Sequence, residues 1–183
     1  MNLFLDTEFT ELSQKAQIIS LALVSENGQE FYAEFKDYSR NEISGWSLVH
    51  VIPNLILHEK EDCFVGNTKT RLKGSREEIR GALKFWLSQF GEKKGSLQCW
   101  ADNPAYDWIL FCELFGGALH IPPSIHYMCL DVATLFWKKG YDPDMDRVVF
   151  SGFSDEVTGR KHNALYDALV LKIAFKKLQQ HNK

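Results

Sequence analysis

The chain has 183 residues, 45% of them hydrophobic and 25% charged. That composition can bury a core and excludes a disordered or low-complexity chain. Its 21 basic and 24 acidic residues leave a net charge of -3, which excludes a global basic field for holding nucleic acid.

A nucleic-acid substrate would therefore need local basic patches and bound cations to neutralise its phosphates. The length suits one domain, residues 1–183, with a sizeable core. No apolar run is long enough to span a bilayer. The N-terminus meets acids at once, with no positive region ahead of an apolar one, so no signal peptide is expected. Cys63, Cys99, Cys112 and Cys129 contain no C-x-x-C pair, a pattern that suits a reducing cytoplasm. Cys99 and Cys129 lie in apolar, strand-like stretches and read as buried thiols.

Leu3 to Leu5 reads as a buried strand, and it runs into Asp6-Thr7-Glu8-Phe9. Gln17 to Ser25 is rich in branched residues and reads as a second strand. Asn27-Gly28 is a hairpin signal, and the alternating Glu30 to Phe35 predicts a third strand. Residues 37–74 carry no clear period. The apolar Leu48 to Leu57, with Pro53-Asn54 inside it, predicts a short helix and irregular chain. Lys69, Arg71, Lys73 and Arg76 form a basic cluster, read either as a solvated, flexible loop or as a phosphate contact.

Ser75 with Glu78 three residues on is a capping box. It predicts a helix to about Phe90, burying Ile79, Leu83, Trp86 and Leu87 at helical spacing. Ser96 to Ala101 reads as a strand. Pro104 opens a helix to about Phe115, stopped by Gly116-Gly117. A short strand at Tyr127 to Leu130, a helix at Asp131 to Lys138, and a final helix from near Asn163 to about Gln180 complete the order. Lysines toward the end of that last helix suit its dipole. Trp86, Trp108 and Trp137 sit on apolar helical faces and read as core. Three hairpin strands followed by alternating strands and helices predict an α/β fold with a mixed five-stranded sheet flanked by helices.

On a strand, residues i and i+2 share a face, so Asp6 and Glu8 stand side by side. Solvated acids past a strand end are one reading; a bound cation between them is the other. After the fourth strand, Asp107 falls in the first turn of a helix and Asp102 at the strand end, where Asp102 reads as a cap. His162 and Asp167 are five residues apart and cannot share a helical face. They converge if His162 stays in the preceding loop and Asp167 lies in the first helical turn. Carboxylates of this kind suit hard Mg²⁺ or Mn²⁺, and a histidine can take a proton near neutral pH.

Asp6-Thr7-Glu8, Asn103-x-x-Tyr106-Asp107 and His162-x4-Asp167, in that order, resemble the DnaQ-like DEDDh 3'-5' exonucleases of the ribonuclease H-like fold. The resemblance selects Asp107 over Asp102. The tyrosine branch of the family would need a tyrosine where this chain has Asn163. The opening D-T-E-F, the Trp46 to Leu55 stretch and D-x-P-A-Y-D look most like the single-domain exoribonucleases of the RNase AS type. Many relatives have His-Asn where this chain has Asp102-Asn103.

The resemblance implies that Asp6, Glu8, Asp107 and Asp167 hold two Mg²⁺ ions, with Mn²⁺ able to substitute, and that His162 deprotonates the attacking water. A 5'-mononucleotide would then leave a single-stranded RNA 3' end. It further implies substrate contacts from Thr7, Phe9, Trp46, Asn103 and Arg160, with Lys161 sharing the phosphate charge, and a cytoplasmic homodimer. Phe9 reads equally as core, and Trp46 as buried. An exodeoxyribonuclease of the same fold and a non-catalytic nucleic-acid-binding domain remain the alternative readings.

Overall fold

The computed structural model describes residues 1–57, 63–153 and 160–180. Seven strands form one sheet in the order β4-β5-β3-β2-β1-β6-β7. The opening meander is β1 (Asn2–Phe9), β2 (Ile18–Ser25) and β3 (Glu30–Phe35), antiparallel as the Asn-Gly turn requires. On the far side of β1, β6 (Gln98–Ala101) and β7 (Leu130–Asp131) run parallel to it. The α-helices among the described residues are α1 (Gly45–His50), α2 (Arg76–Ser88), α3 (Ala105–Leu114), α4 (Val132–Lys138), α5 (Arg147–Ser151) and α6 (Ala164–Gln180). No helix among the described residues is long and apolar enough to cross a membrane.

The sheet exceeds the expected five strands because residues 63–74 supply two more. Phe64–Val65 is β4 and Lys69–Gly74 is β5, and β5 pairs in parallel with β3. The basic cluster is therefore neither a flexible loop nor, at Arg71, a free phosphate contact. Arg71 is only 7% exposed and pairs with Glu30. Lys73 pairs with the fully buried Glu34 at 3.0 Å. Each cation sits beside an acid on the neighbouring strand, and that pairing is what makes burying them affordable.

Alternation along β1 divides the core. Leu3 and Leu5 face α2 and α3, packing with Ile79, Leu83, Trp86 and Phe111. Phe4, on the opposite face, packs with Leu171 and Phe175 of α6. Asp6 and Glu8 continue the Phe4 face by the same two-residue period. The capping box at Ser75 and Glu78 is present as expected. One tryptophan differs from the core reading: Trp137 is 68% exposed, whereas Trp108 is half-buried and packs against the core, stacked on Phe111. Cys99 is buried, whereas Cys129 is half-buried.

Candidate active site

The site lies beyond the carboxyl ends of the parallel pair β1 and β6. β6 pairs with β1 only along Asn2 to Phe4, so the last residues of β1 have an open side. The β1–β2 register shifts between Glu8 and Phe9, a bulge of the kind that re-aims strand-end side chains.

Asp107 enters from the first turn of α3. Its Oδ1 accepts hydrogen bonds from the Thr7 N–H at 2.8 Å and the Thr7 hydroxyl at 2.6 Å. Thr7 is buried, so its side chain serves the carboxylate and offers the solvent little. Asn103 precedes α3 at φ 55, a left-handed conformation that asparagine tolerates. Its N–H donates to Asp131 Oδ1 at 3.1 Å, which turns the chain from β6 into α3. Asp102 does not cap α3, because Pro104 holds that position. Both Asp102 oxygens instead meet Arg147, at 2.9 Å each. Forty-five residues separate the two, so no local pattern announces the pair.

Asp167 lies in the first turn of α6 and His162 in the loop before it, as the five-residue spacing requires. His162 adopts φ 68, and its N–H donates to Asp167 Oδ2 at 2.8 Å. Asn163 fixes this corner. Its Oδ1 accepts from the N–H groups of Leu165 and Tyr166, capping α6. Its Nδ2 donates to the Tyr32 hydroxyl and to the Asn54 carbonyl. Asn54 Nδ2 in turn donates to the carbonyls of Lys161 and His50.

Asp6, Thr7, Glu8, Phe9, Trp46, Asn103, Asp107, His162 and Asp167 all line one cavity of about 900 Å³. Arg160 is exposed and absent from that lining, while the adjacent Lys161 contributes to it. Lys161 pairs with Asp146 at 3.1 Å. Trp46 is 53% exposed rather than buried, and its ring meets His162 edge-on at 4.8 Å. Phe9 is half-buried and stacks on Tyr106 at 5.4 Å. His50 is a further ring neighbour of Trp46 and His162; its place on α1 is set by tertiary packing that the sequence does not spell out.

The electrostatics of this cavity are unusual for acids. Burial, and then the charges of Asp167, Asp107 and Glu8, raise the Asp6 carboxyl well above its ordinary range. Burial first, with neighbouring carboxylates, pushes Glu8 up to about 8. Burial likewise pushes Asp107 to about 6 and Asp167 to about 7, against the hydrogen bonds that favour their ionised forms. Among the described residues no lysine or arginine forms an ion pair with any of the four. The Asp6 Oδ2 atom is buried without a hydrogen-bond partner. Four crowded carboxylates and one orphaned oxygen are a fit for a divalent cation that prefers oxygen ligands. Ligand atoms of Glu8, Asp167 and also His162 lie within 4.8 Å of one another. Burial, Lys161 and His50 lower the pKa of His162, favouring the neutral imidazole that can accept a proton.

The sequence matches the family described as the 3'-5' exoribonuclease Rv2179c-like domain over residues 1–179. The chain belongs to that family. Two 3'-5' exoribonucleases of Mycobacterium tuberculosis, Rv2179c of strain H37Rv and MT2234.1 of strain CDC 1551, are each 29% identical to it over 140 residues, 76% of either chain. The exoribonuclease activity implied by the motifs is thus the activity named for the family and for both relatives. Among solved structures, cell-death related nuclease 4 (CRN-4) aligns with a TM-score of 0.68 at 13% identity, over 98% of this chain and 63% of that one. This chain therefore spans less than two thirds of CRN-4. The nuclease domain of 3'hExo, a DEDDh family member bound to rAMP, aligns with a TM-score of 0.58 at 13% identity, over 98% of this chain and 92% of that one. At such identities the likeness is one of fold, and it is the ribonuclease H-like α/β fold expected from the sequence.

Proposed function

We propose that this member of the Rv2179c-like family removes 5'-mononucleotides from the 3' ends of single-stranded RNA, acting as one exonuclease domain over residues 1–183. In this reading Asp6, Glu8, Asp107 and Asp167 hold two divalent cations, Mg²⁺ with Mn²⁺ as a substitute. The observation that carries it is the buried, unpartnered Asp6 Oδ2 among three other carboxylates of raised pKa. Such a cluster is stable as ions only with positive charge inside it.

Cations bound there would neutralise charge on the attacking and leaving oxygens of the phosphodiester. Thr7 holds Asp107 in one orientation through Oδ1 and leaves Oδ2 for the site. The backbone of His162 holds Asp167 in the same way. The imidazole of His162, kept neutral by its surroundings, takes the proton of the attacking water. Trp46 and the Phe9–Tyr106 pair offer ring surfaces for the terminal bases. Lys161, rather than Arg160, faces the phosphate, by exchanging an exposed partner that holds it only weakly.

The four free thiols support a reducing, cytoplasmic setting. The homodimer that the family resemblance implies belongs to this reading as well. The test is one gel with 5'-labelled single-stranded RNA and matching DNA, each with Mg²⁺, Mn²⁺ or EDTA. The expected result is a metal-dependent RNA ladder shortening from the 3' end. Faster loss of DNA would move the assignment to an exodeoxyribonuclease. No cleavage of either would leave a binding domain.

A further inference from the structure

The catalytic cleft is poorly supplied with positive charge for an RNA strand. Among the described residues, nine acids line it against Arg147 and Lys161. Arg147 is committed to Asp102 and to the carbonyls of Met145 and Pro143. Bound cations would serve the phosphodiester being cut and leave the upstream phosphates unmatched.

A second cavity, of about 370 Å³, has the opposite character. Lys36, Arg40 and Lys73 line it with Tyr38, Phe35 and Leu48, and among the described residues no acid contributes to its wall. The charge of Lys73 is already matched by Glu34. The side chains of Lys36 and Arg40 make no hydrogen bond or ion pair among the described residues, and both are exposed. An arginine fork and a lysine beside a tyrosine ring are the groups that hold a nucleotide: phosphate on the cations, base against the ring.

The two cavities share a wall. Ser44, Trp46 and Ser47 line the cleft, while Ile43 and Leu48 line the second cavity. This ridge is pinned to the sheet end: the Ser44 N–H donates to the Thr10 carbonyl at 2.8 Å, and the Ser47 hydroxyl to the Phe9 carbonyl at 3.1 Å. The Ser39 N–H donates to Gln17 Oε1 at 2.8 Å. A strand leaving the cleft past Trp46 thus meets a fixed ridge with the exposed side chains of Lys36 and Arg40 behind it.

We infer that the cavity at Lys36, Tyr38 and Arg40 binds the RNA strand upstream of the 3' end being cut. The inference rests on the exoribonuclease reading. It answers the question raised by the net charge of -3, since the phosphates are matched locally and at a distance from the acids.

The test compares kcat/KM for a dinucleotide and for an RNA of about ten nucleotides, in wild type and in the Lys36→Ala/Arg40→Ala double variant. Both side chains are exposed, so folding is not at stake. The preference for the longer RNA should fall about tenfold in the variant, carried by KM. The salt dependence of longer-RNA binding should lose about 0.7 in log–log slope for each phosphate contact removed. Equal losses on both substrates, or an unchanged preference and slope, would overturn the site while leaving the exonuclease reading intact. A wild type that degrades neither RNA would overturn both.

Discussion

Thr7 shows how one residue can position a neighbouring carboxylate through both its backbone and its side chain. Its hydroxyl and N–H both end on Asp107 Oδ1, so the acid is oriented from an adjacent element. Thr7→Val keeps the shape and the β-branch but removes the hydroxyl. On the general behaviour of residues that orient metal ligands, it should cost about 10- to 100-fold in divalent-cation affinity or turnover, with little change in thermal stability. Calorimetric titration with Mn²⁺ and single-turnover kinetics would check this, and wild-type values in both would remove Thr7 from that role. The Asp6–Glu8 pair was legible because strand alternation is local. The partner of Asp102 was not, because Arg147 lies 45 residues on and nothing in either segment's pattern names the other.

At the scale of elements, the corner from Lys161 to α6 depends on Asn163. It caps the helix and ties that corner to Tyr32 of β3 and to Asn54. Asn163→Ala removes the cap and strands buried polar groups, so a loss of about 2 kcal/mol or more is expected in urea unfolding. Turnover should also fall, because the His162 loop loses its anchor. A loss under about 0.5 kcal/mol would show that the corner is held by other contacts. The loop-then-helix placement of His162 and Asp167 followed from five-residue geometry and could be read in advance. β5 could not, because K-T-R-L-K reads as a solvated stretch until β3 supplies Glu30 and Glu34 beside it. The short α5 was equally hidden; its start depends on Asp146, whose Oδ1 accepts from the N–H groups of Val148 and Val149.

For the whole molecule, the acid cluster links stability to pH and to divalent cations. Folding raises the pKa of Glu8 to about 8, Asp167 to about 7 and Asp107 to about 6. Below the unfolded carboxylate pKa of about 4, both states are protonated and the cluster costs nothing. As pH rises, the unfolded chain ionises first, so stability drains away until the folded values are passed. In EDTA, the melting temperature should therefore fall between about pH 5 and pH 8. Asp107→Asn should flatten that fall, and added Mg²⁺ should reverse it. A melting temperature in EDTA that rises over this interval would contradict the linkage.

Four carboxylates are proposed to hold the cations while His162 handles the proton, although the geometry leaves His162 within reach as a ligand. The most direct measurement is Mn²⁺ binding by calorimetry, alongside RNA turnover, for wild type, His162→Ala and Asp167→Asn. If this division of roles holds, His162→Ala binds Mn²⁺ like wild type while turnover falls by about 100-fold or more, and Asp167→Asn loses both. A His162→Ala variant that loses Mn²⁺ binding as Asp167→Asn does, or that keeps wild-type turnover, would contradict it.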